Sequence, residues 1–215
     1  MITHEDGKIL VHAMQWLEQS GLNVASAGNA SVRVKTGFLV TPSGVRARDL
    51  LPEQMVAMSL EGTPESGSRC APSSEWRFHR DIYRARSDAC AVVHTHSTYA
   101  SAMACLRDPI PAFHYMVAAA GGADIRCAEY ATFGTQQLSD NALDALEGRR
   151  ACLLANHGVI AIGSDIDAAL DLAQQVEELA RQYWVARSAG TPEILDAAEM
   201  SRVLELFSGY GVQRD

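Results

Sequence analysis

The sequence predicts an α/β domain, on three observations. Apolar residues recur at helical spacing in stretches that begin near Thr3, Ser73, Ser97, Thr135, Asp165 and Asp196. Between them lie short runs of small and β-branched residues of strand length. Two pairs of these runs, 32–34 with 38–40 and 151–154 with 159–162, are joined by very short turns, so each pair is expected to lie antiparallel. With 215 residues and 47% hydrophobic content the chain can bury one full core, and a single domain over 1–215 is expected.

Taken in order, Thr3 is placed to cap a helix carrying Ile9, Leu10, Ala13, Met14 and Leu17, with Gly21 to stop it. Residues 26–31 are small and rich in hydrogen-bonding groups and read as a loop into the 32–34 and 38–40 hairpin. The second strand runs into Thr41-Pro42-Ser43-Gly44, where glycine lets the backbone approach a ligand. Residues 55–60 read as another strand and 61–69 as a polar surface loop. Ser73 or Ser74 is placed to cap a helix to about Arg86, and its free N–H groups with two hydroxyls suit an anion. After a strand at 90–96, Ser97 or Thr98 caps a short helix through Leu106, ended by Asp108-Pro109-Ile110-Pro111. The small-residue run 118–122 permits close backbone packing, for instance at a subunit contact. Thr135 caps a helix to about Gly148, and the strands 151–154 and 159–162 follow. Asp165 caps a long helix with Ile166, Ala169, Leu170, Ala173, Val176, Ala180, Tyr183 and Trp184 along a core-packing stripe. Asp196-Ala197-Ala198-Glu199 resembles a capping box for a last helix carrying Val203, Leu204, Leu206 and Phe207.

Composition excludes several function classes. A formal charge of -8 repels polyanions, so nucleic acid is not an expected partner, although a few local donors suffice for one small anion. No apolar run reaches bilayer length and the first residues are acidic, so neither a membrane association nor a secretory signal is expected and the protein should be cytoplasmic. Five dispersed cysteines without CxxC spacing are not a disulfide framework and read as small buried hydrophobes.

The chemistry centres on Cys90-Ala91-Val92-Val93-His94-Thr95-His96. Side chains at i and i+2 of a strand share a face, so His94 and His96 converge and can grip one metal ion. His157, in the turn between the two later strands, is placed as a third ligand, and Glu75, beside the anion-binding serines, is the candidate carboxylate. Three imidazoles and one carboxylate suit zinc with exchangeable coordination.

With those residues the chain resembles the class II aldolase family of L-fuculose-1-phosphate aldolase and L-ribulose-5-phosphate 4-epimerase. The matching stretches are Ala27-Gly28-Asn29-Ala30-Ser31-Val32-Arg33, Thr41-Pro42-Ser43-Gly44, Pro72-Ser73-Ser74-Glu75-Trp76-Arg77-Phe78-His79, Val92-Val93-His94-Thr95-His96, Tyr130-Ala131-Thr132-Phe133-Gly134-Thr135 and Asn156-His157-Gly158. The stretch 110–122 is more similar to the fuculose-phosphate branch. The resemblance implies a three-layer α/β/α sandwich around a largely antiparallel sheet, in a homotetramer with active sites at subunit contacts. It implies one Zn2+ per subunit on His94, His96 and His157, with Glu75 as ligand and then base. It further implies phosphate binding by Ser26, Asn29, Ser43, Gly44, Ser73 and Ser74, a proton donor in Tyr115 from a neighbouring subunit, and Tyr210 and Phe133 near the aldehyde end. Glu129 stands where close relatives tend to have proline, Thr95 sits between the metal histidines, and Ser26 replaces a threonine.

The residues agree with that chemistry. Breaking a carbon–carbon bond beside a carbonyl leaves an enediolate, held either by a lysine Schiff base or by a metal. Only Lys8 and Lys35 exist, one on the first helix and one in a hairpin turn, which favours the metal. The expected reaction is cleavage of a ketose 1-phosphate to dihydroxyacetone phosphate and a short aldehyde. L-Fuculose 1-phosphate, giving L-lactaldehyde, leads. The alternatives are 5-deoxyribulose or 5-(methylthio)ribulose 1-phosphate, then an epimerase or sugar-acid-phosphate decarboxylase on the same scaffold. A non-enzymatic module like the adducin head is disfavoured by retention of the ligand set.

Overall fold

The computed structural model describes residues 4–208. Its strands are β1 (Asn29–Val34), β2 (Gly37–Val40), β3 (Val56–Met58), β4 (Ala91–Thr95), β5 (Cys127–Ala128), β6 (Ala151–Leu154) and β7 (Gly158–Gly163). The helices are α1 (His4–Gln19), α2 (Trp76–Ala85), α3 (Thr98–Leu106), α4 (Gln136–Leu146), α5 (Ile166–Ala189) and α6 (Ala197–Ser208). The strands form one sheet in the order β3-β2-β1-β4-β7-β6-β5, antiparallel throughout except for the parallel pair β5 and β6.

Strand alternation divides the core in two. Leu39, Ala91, Val93, Leu153, Val159 and Ala161 face the layer built by α1, α3, α5 and α6. Phe38, Val40, Val92, Cys152, Leu154, Ile160 and Ile162 face α2 and α4. Helices thus flank a mixed, mostly antiparallel sheet, the α/β/α arrangement expected. Among the described residues no helix is long and apolar enough to cross a membrane.

Thr135 and Asp165 cap α4 and α5 as expected, accepting from the N–H groups of Leu138 and Ala168. Other expectations need correction. β1 begins at Asn29 rather than 32, because pairing with β4 extends to Asn29 opposite His94 and the polar side chains of Asn29 and Ser31 find buried partners. The strand expected over 55–60 is limited to β3, since Ser59 turns back on Thr63. Neither serine caps α2: Glu75 holds the cap position without a side-chain cap bond, and its carboxylate points instead at the histidines. Ser97 precedes α3, but its hydroxyl has no partner, and the carboxylate of Glu177 on α5 takes the N–H groups of Tyr99 and Ala100, both at 2.9 Å. The 118–122 run packs closely as expected: most of it lies in a 3-10 turn, Tyr115–Ala120, whose Val117, Ala118 and Ala120 are buried in the core. Asp196 accepts from the Glu199 N–H, but Glu199 pairs with Arg202 rather than closing the box. Cys105 and Trp184 are exposed, contrary to a buried reading, and Cys70, Cys90 and Cys127 are only partly buried. Thr3 lies outside the described residues.

Glu177→Ala removes the acceptor from two N–H groups at the start of α3. It should destabilise the fold by about 1–2 kcal/mol, read as a lower urea midpoint with unchanged slope. Glu177→Gln, which keeps an acceptor oxygen, should lose less.

Candidate metal centre

The centre is assembled from three sheet strands and one helix start. β4 turns His94 toward the α2 face, where the ring is fully buried and its Nδ1 donates to the Val159 carbonyl at 2.8 Å. That bond fixes the tautomer and aims the Nε2 lone pair into the site. His96 lies just past β4, open to the cavity but with its ring partly covered, and its Nε2 is 2.9 Å from that of His94. His157 reaches in from the turn between β6 and β7, its Nε2 3.2 Å from Glu75 Oε1, while Glu75 Oε2 lies 3.2 Å from His94 Nε2. Two glycines permit the approach. A Cβ at Gly158 would strike the Thr95 carbonyl, and one at Gly28, whose φ is +72°, would strike the His94 carbonyl and the Asn23 amide.

The donor chemistry fits a divalent ion. Ligand atoms of Glu75, His94, His96 and His157 all lie within 4.8 Å of one another. Burial first, then the charge of His94, pushes both His96 and His157 down to about 4, so their lone pairs are free at neutral pH. Burial pulls Glu75 up, but the charges of His94 and His157 and hydrogen bonds from His94 and Asn29 outweigh it, leaving the carboxyl at about 2 and ionised. For His94, burial opposes the charged form and the Glu75 carboxylate more than restores it. The inward-facing nitrogens and carboxylate oxygens call for positive charge among them, which a proton favoured on His94 supplies in part and a divalent ion would supply in its place, and Glu75 Oε1 is buried with no hydrogen-bond partner. Three imidazoles and one carboxylate are a zinc-type donor set.

Beside the ligands opens a cavity of about 340 Å³, the size of a small-molecule site. Ser26, Asn29, Ser43, Gly44, Ser73 and Ser74 line one side, and Tyr130, Ala131 and Phe133 another. Among the described residues no lysine or arginine lines it. An anion entering it would be met by hydroxyls and backbone groups. Not every group at the α2 start is available: the Glu75 N–H is taken by Ser73 Oγ at 3.3 Å and the Trp76 N–H by the Ser73 carbonyl. Ser26, Ser43, Gly44 and Ser74 are exposed to the cavity, whereas Ser73 is buried.

Of the residues singled out from sequence, the four ligands and the Ser26, Asn29, Ser43, Gly44, Ser73, Ser74 and Phe133 set are brought together. Asn29 donates from Nδ2 to Glu75 Oε2 at 3.0 Å. Tyr115 is not among the lining residues. It stands half exposed on the 3-10 turn, stacked on His114 at 4.9 Å between centroids. Tyr210 lies outside the described residues. Glu129 is exposed, and its carbonyl accepts from the Asn141 amide while Tyr130 and Ala131, next in sequence, reach the cavity. Sequence reasoning missed His79 and Tyr83, although 75, 79 and 83 are spaced to share one helix face.

The profile of the family described as "Class II Aldolase and Adducin N-terminal domain" matches residues 8–184. A 5-methylthioribulose-1-phosphate/5-deoxyribulose-1-phosphate aldolase of Rhodospirillum rubrum is 55% identical over 202 residues, covering 94% of this chain and 90% of that protein. An L-fuculose phosphate aldolase of Escherichia coli is 46% identical over 194 residues, 90% of this chain and 89% of the relative. A solved structure of an L-fuculose 1-phosphate aldolase superposes with a TM-score of 0.93 at 40% identity, covering 97% of this chain and 98% of the other.

His94→Ala, His96→Ala and His157→Ala should each lose most of the bound divalent metal by elemental analysis, together with the rise in melting temperature that added metal gives the unaltered protein. Unchanged metal content in all three would place the ion elsewhere.

Proposed function

The chain belongs to the class II aldolase and adducin N-terminal domain family, and we propose that it is a zinc-dependent aldolase of ketose 1-phosphates. Its similarity along nearly the whole chain to characterised aldolases makes it an enzyme of the lyase type. The proposed substrates are 5-(methylthio)ribulose 1-phosphate and 5-deoxyribulose 1-phosphate, each split reversibly to dihydroxyacetone phosphate and a short aldehyde. The observation that carries this choice is the identity of 55% to the Rhodospirillum enzyme against 46% to the fuculose-phosphate enzyme. L-Fuculose 1-phosphate, the first expectation from sequence, becomes the second reading, supported by the structural similarity to an L-fuculose 1-phosphate aldolase.

The chemistry follows from the residues around the cavity. When bound to the three imidazoles, a divalent ion supplies Lewis acidity to the ketose oxygens on which charge develops. Glu75, ionised and buried beside them, is the group that moves a proton on and off the reacting carbon of the dihydroxyacetone phosphate half. Its Oε1, without a hydrogen bond, is the oxygen free to do so. The Ser26, Ser43 and Ser74 hydroxyls with the Gly44 backbone take the phosphate, which sets the reacting carbons beside Glu75. Phe133, Tyr130 and Ala131 present an apolar wall suited to a methyl or methylthio end. Phe133 is 66% and Tyr115 51% exposed, and a neighbouring subunit in a homotetramer would cover such aromatics and bring its own Tyr115 to the aldehyde oxygen. Tyr210 is assigned to the same end by the family resemblance.

Purified protein loaded with zinc should release dihydroxyacetone phosphate from both ribulose derivatives with a kcat/KM higher than that for L-fuculose 1-phosphate. The unphosphorylated sugars should be poor substrates. A pocket that sorts methyl from methylthio ends supplies only about 1–3 kcal/mol, so the two ribulose derivatives should differ by no more than about 200-fold. Preference for L-fuculose 1-phosphate would select the second reading.

A further inference from the structure

Behind Glu75, starting from Asn29 at the cavity wall and leading inward, runs a line of polar side chains buried between β1 and α2. Tyr83 Oη is 2.7 Å from Ser31 Oγ, Ser31 Oγ is 2.7 Å from His79 Nδ1, and His79 Nε2 is 2.5 Å from Asn29 Oδ1. Asn29 Nδ2 then meets Glu75 Oε2 at 3.0 Å. Ser31 and His79 are fully buried, Tyr83 is 2% exposed and Asn29 4%, so no solvent rearranges the set.

One end fixes all the rest. An ionised carboxylate only accepts, so Asn29 must turn its NH2 toward Glu75 and its carbonyl toward His79. That carbonyl requires an N–H on His79 Nε2. The ring is neutral, because burial and then the charge of His94 hold its pKa at about 3, so Nδ1 is an acceptor. Ser31 must donate to Nδ1, and Tyr83 to Ser31. Every bond therefore points the same way, from Tyr83 toward Glu75, and each polarises the next. If His79 lost its Nε2–H, the Asn29 amide would no longer be held in the orientation that offers Glu75 a donor.

We propose that His79 is a positioning residue, which acts through Asn29 to hold Glu75 Oε2 in place and so leaves Oε1 as the oxygen that meets metal and substrate. The proposal rests on the reading of Glu75 as proton carrier and extends it to a residue that touches neither substrate nor metal.

Histidine-selective 15N NMR of the full-length, metal-loaded protein tests the tautomer without any substrate. The signal that disappears in His79→Gln should be a neutral Nε2–H imidazole from about pH 6 to 8. A ring without a proton on Nε2 over that range would overturn the proposal. In cleavage assays, His79→Phe should lower kcat by about 10–100-fold with KM and metal content unchanged. His79→Gln, whose amide N–H can replace the ring donor, should recover most of that loss. In an Asn29→Ala background His79→Phe should cost little more, since its route to Glu75 is already cut. An equal loss in both backgrounds, or a parallel loss of metal, would overturn the positioning role. Should none of the ketose 1-phosphates be cleaved, the functional reading fails while the NMR result still decides this one.

Discussion

A carboxylate has been taken out of water and set among three imidazoles, and most of the structure answers to that arrangement. Burying a charge costs several kcal/mol unless it is paired and hydrogen-bonded. Here the compensation comes from His94 at 3.2 Å and from the Asn29 amide, and a divalent ion held by the inward-facing imidazoles would add to it. Each partner is delivered by a separate piece of chain. β4 brings His94, its neighbour β1 brings Asn29 directly opposite, the turn after β6 brings His157, and Glu75 stands immediately before α2.

The site is graded from rigid to adaptable. His94 is its buried floor, tied to the Val159 carbonyl on β7, whereas His96 is exposed and the serines and aromatics sit on loops around the cavity. Metal and carboxylate chemistry demand the fixed floor, since small displacements of such groups are costly in rate. On the proposed function, recognition of the aldehyde end falls to Tyr130, Ala131 and Phe133, which line the cavity from a loop where exchange of side chains leaves the sheet untouched. A single scaffold can therefore carry relatives that differ in the end group of the sugar.

Much of this was legible in the sequence, because strand period two put His94 and His96 together, the helical stripes marked the helices, and the family resemblance implied the layers. What escaped had physical reasons. β5 is two residues long, too short for any pattern, and depends on β6 for its definition. Asn29 and Ser31 looked like loop because polar residues disfavour strands, and only their buried partners on α2 reverse that preference. The α2 cap was misplaced since a serine hydroxyl is the ordinary solution, while Glu75 at the cap position answers to the histidines instead. Glu177, which caps α3 from a helix far along the chain, leaves no local trace at all.

The most direct test of this account is a paired measurement on Glu75→Gln, metal content together with turnover of a ketose 1-phosphate. Three neutral imidazoles should keep most of the metal, while turnover should fall by at least about 100-fold because the amide neither takes nor returns a proton. Turnover near that of the unaltered enzyme, with metal in place, would contradict the assignment of Glu75 as proton carrier and move the base to another group.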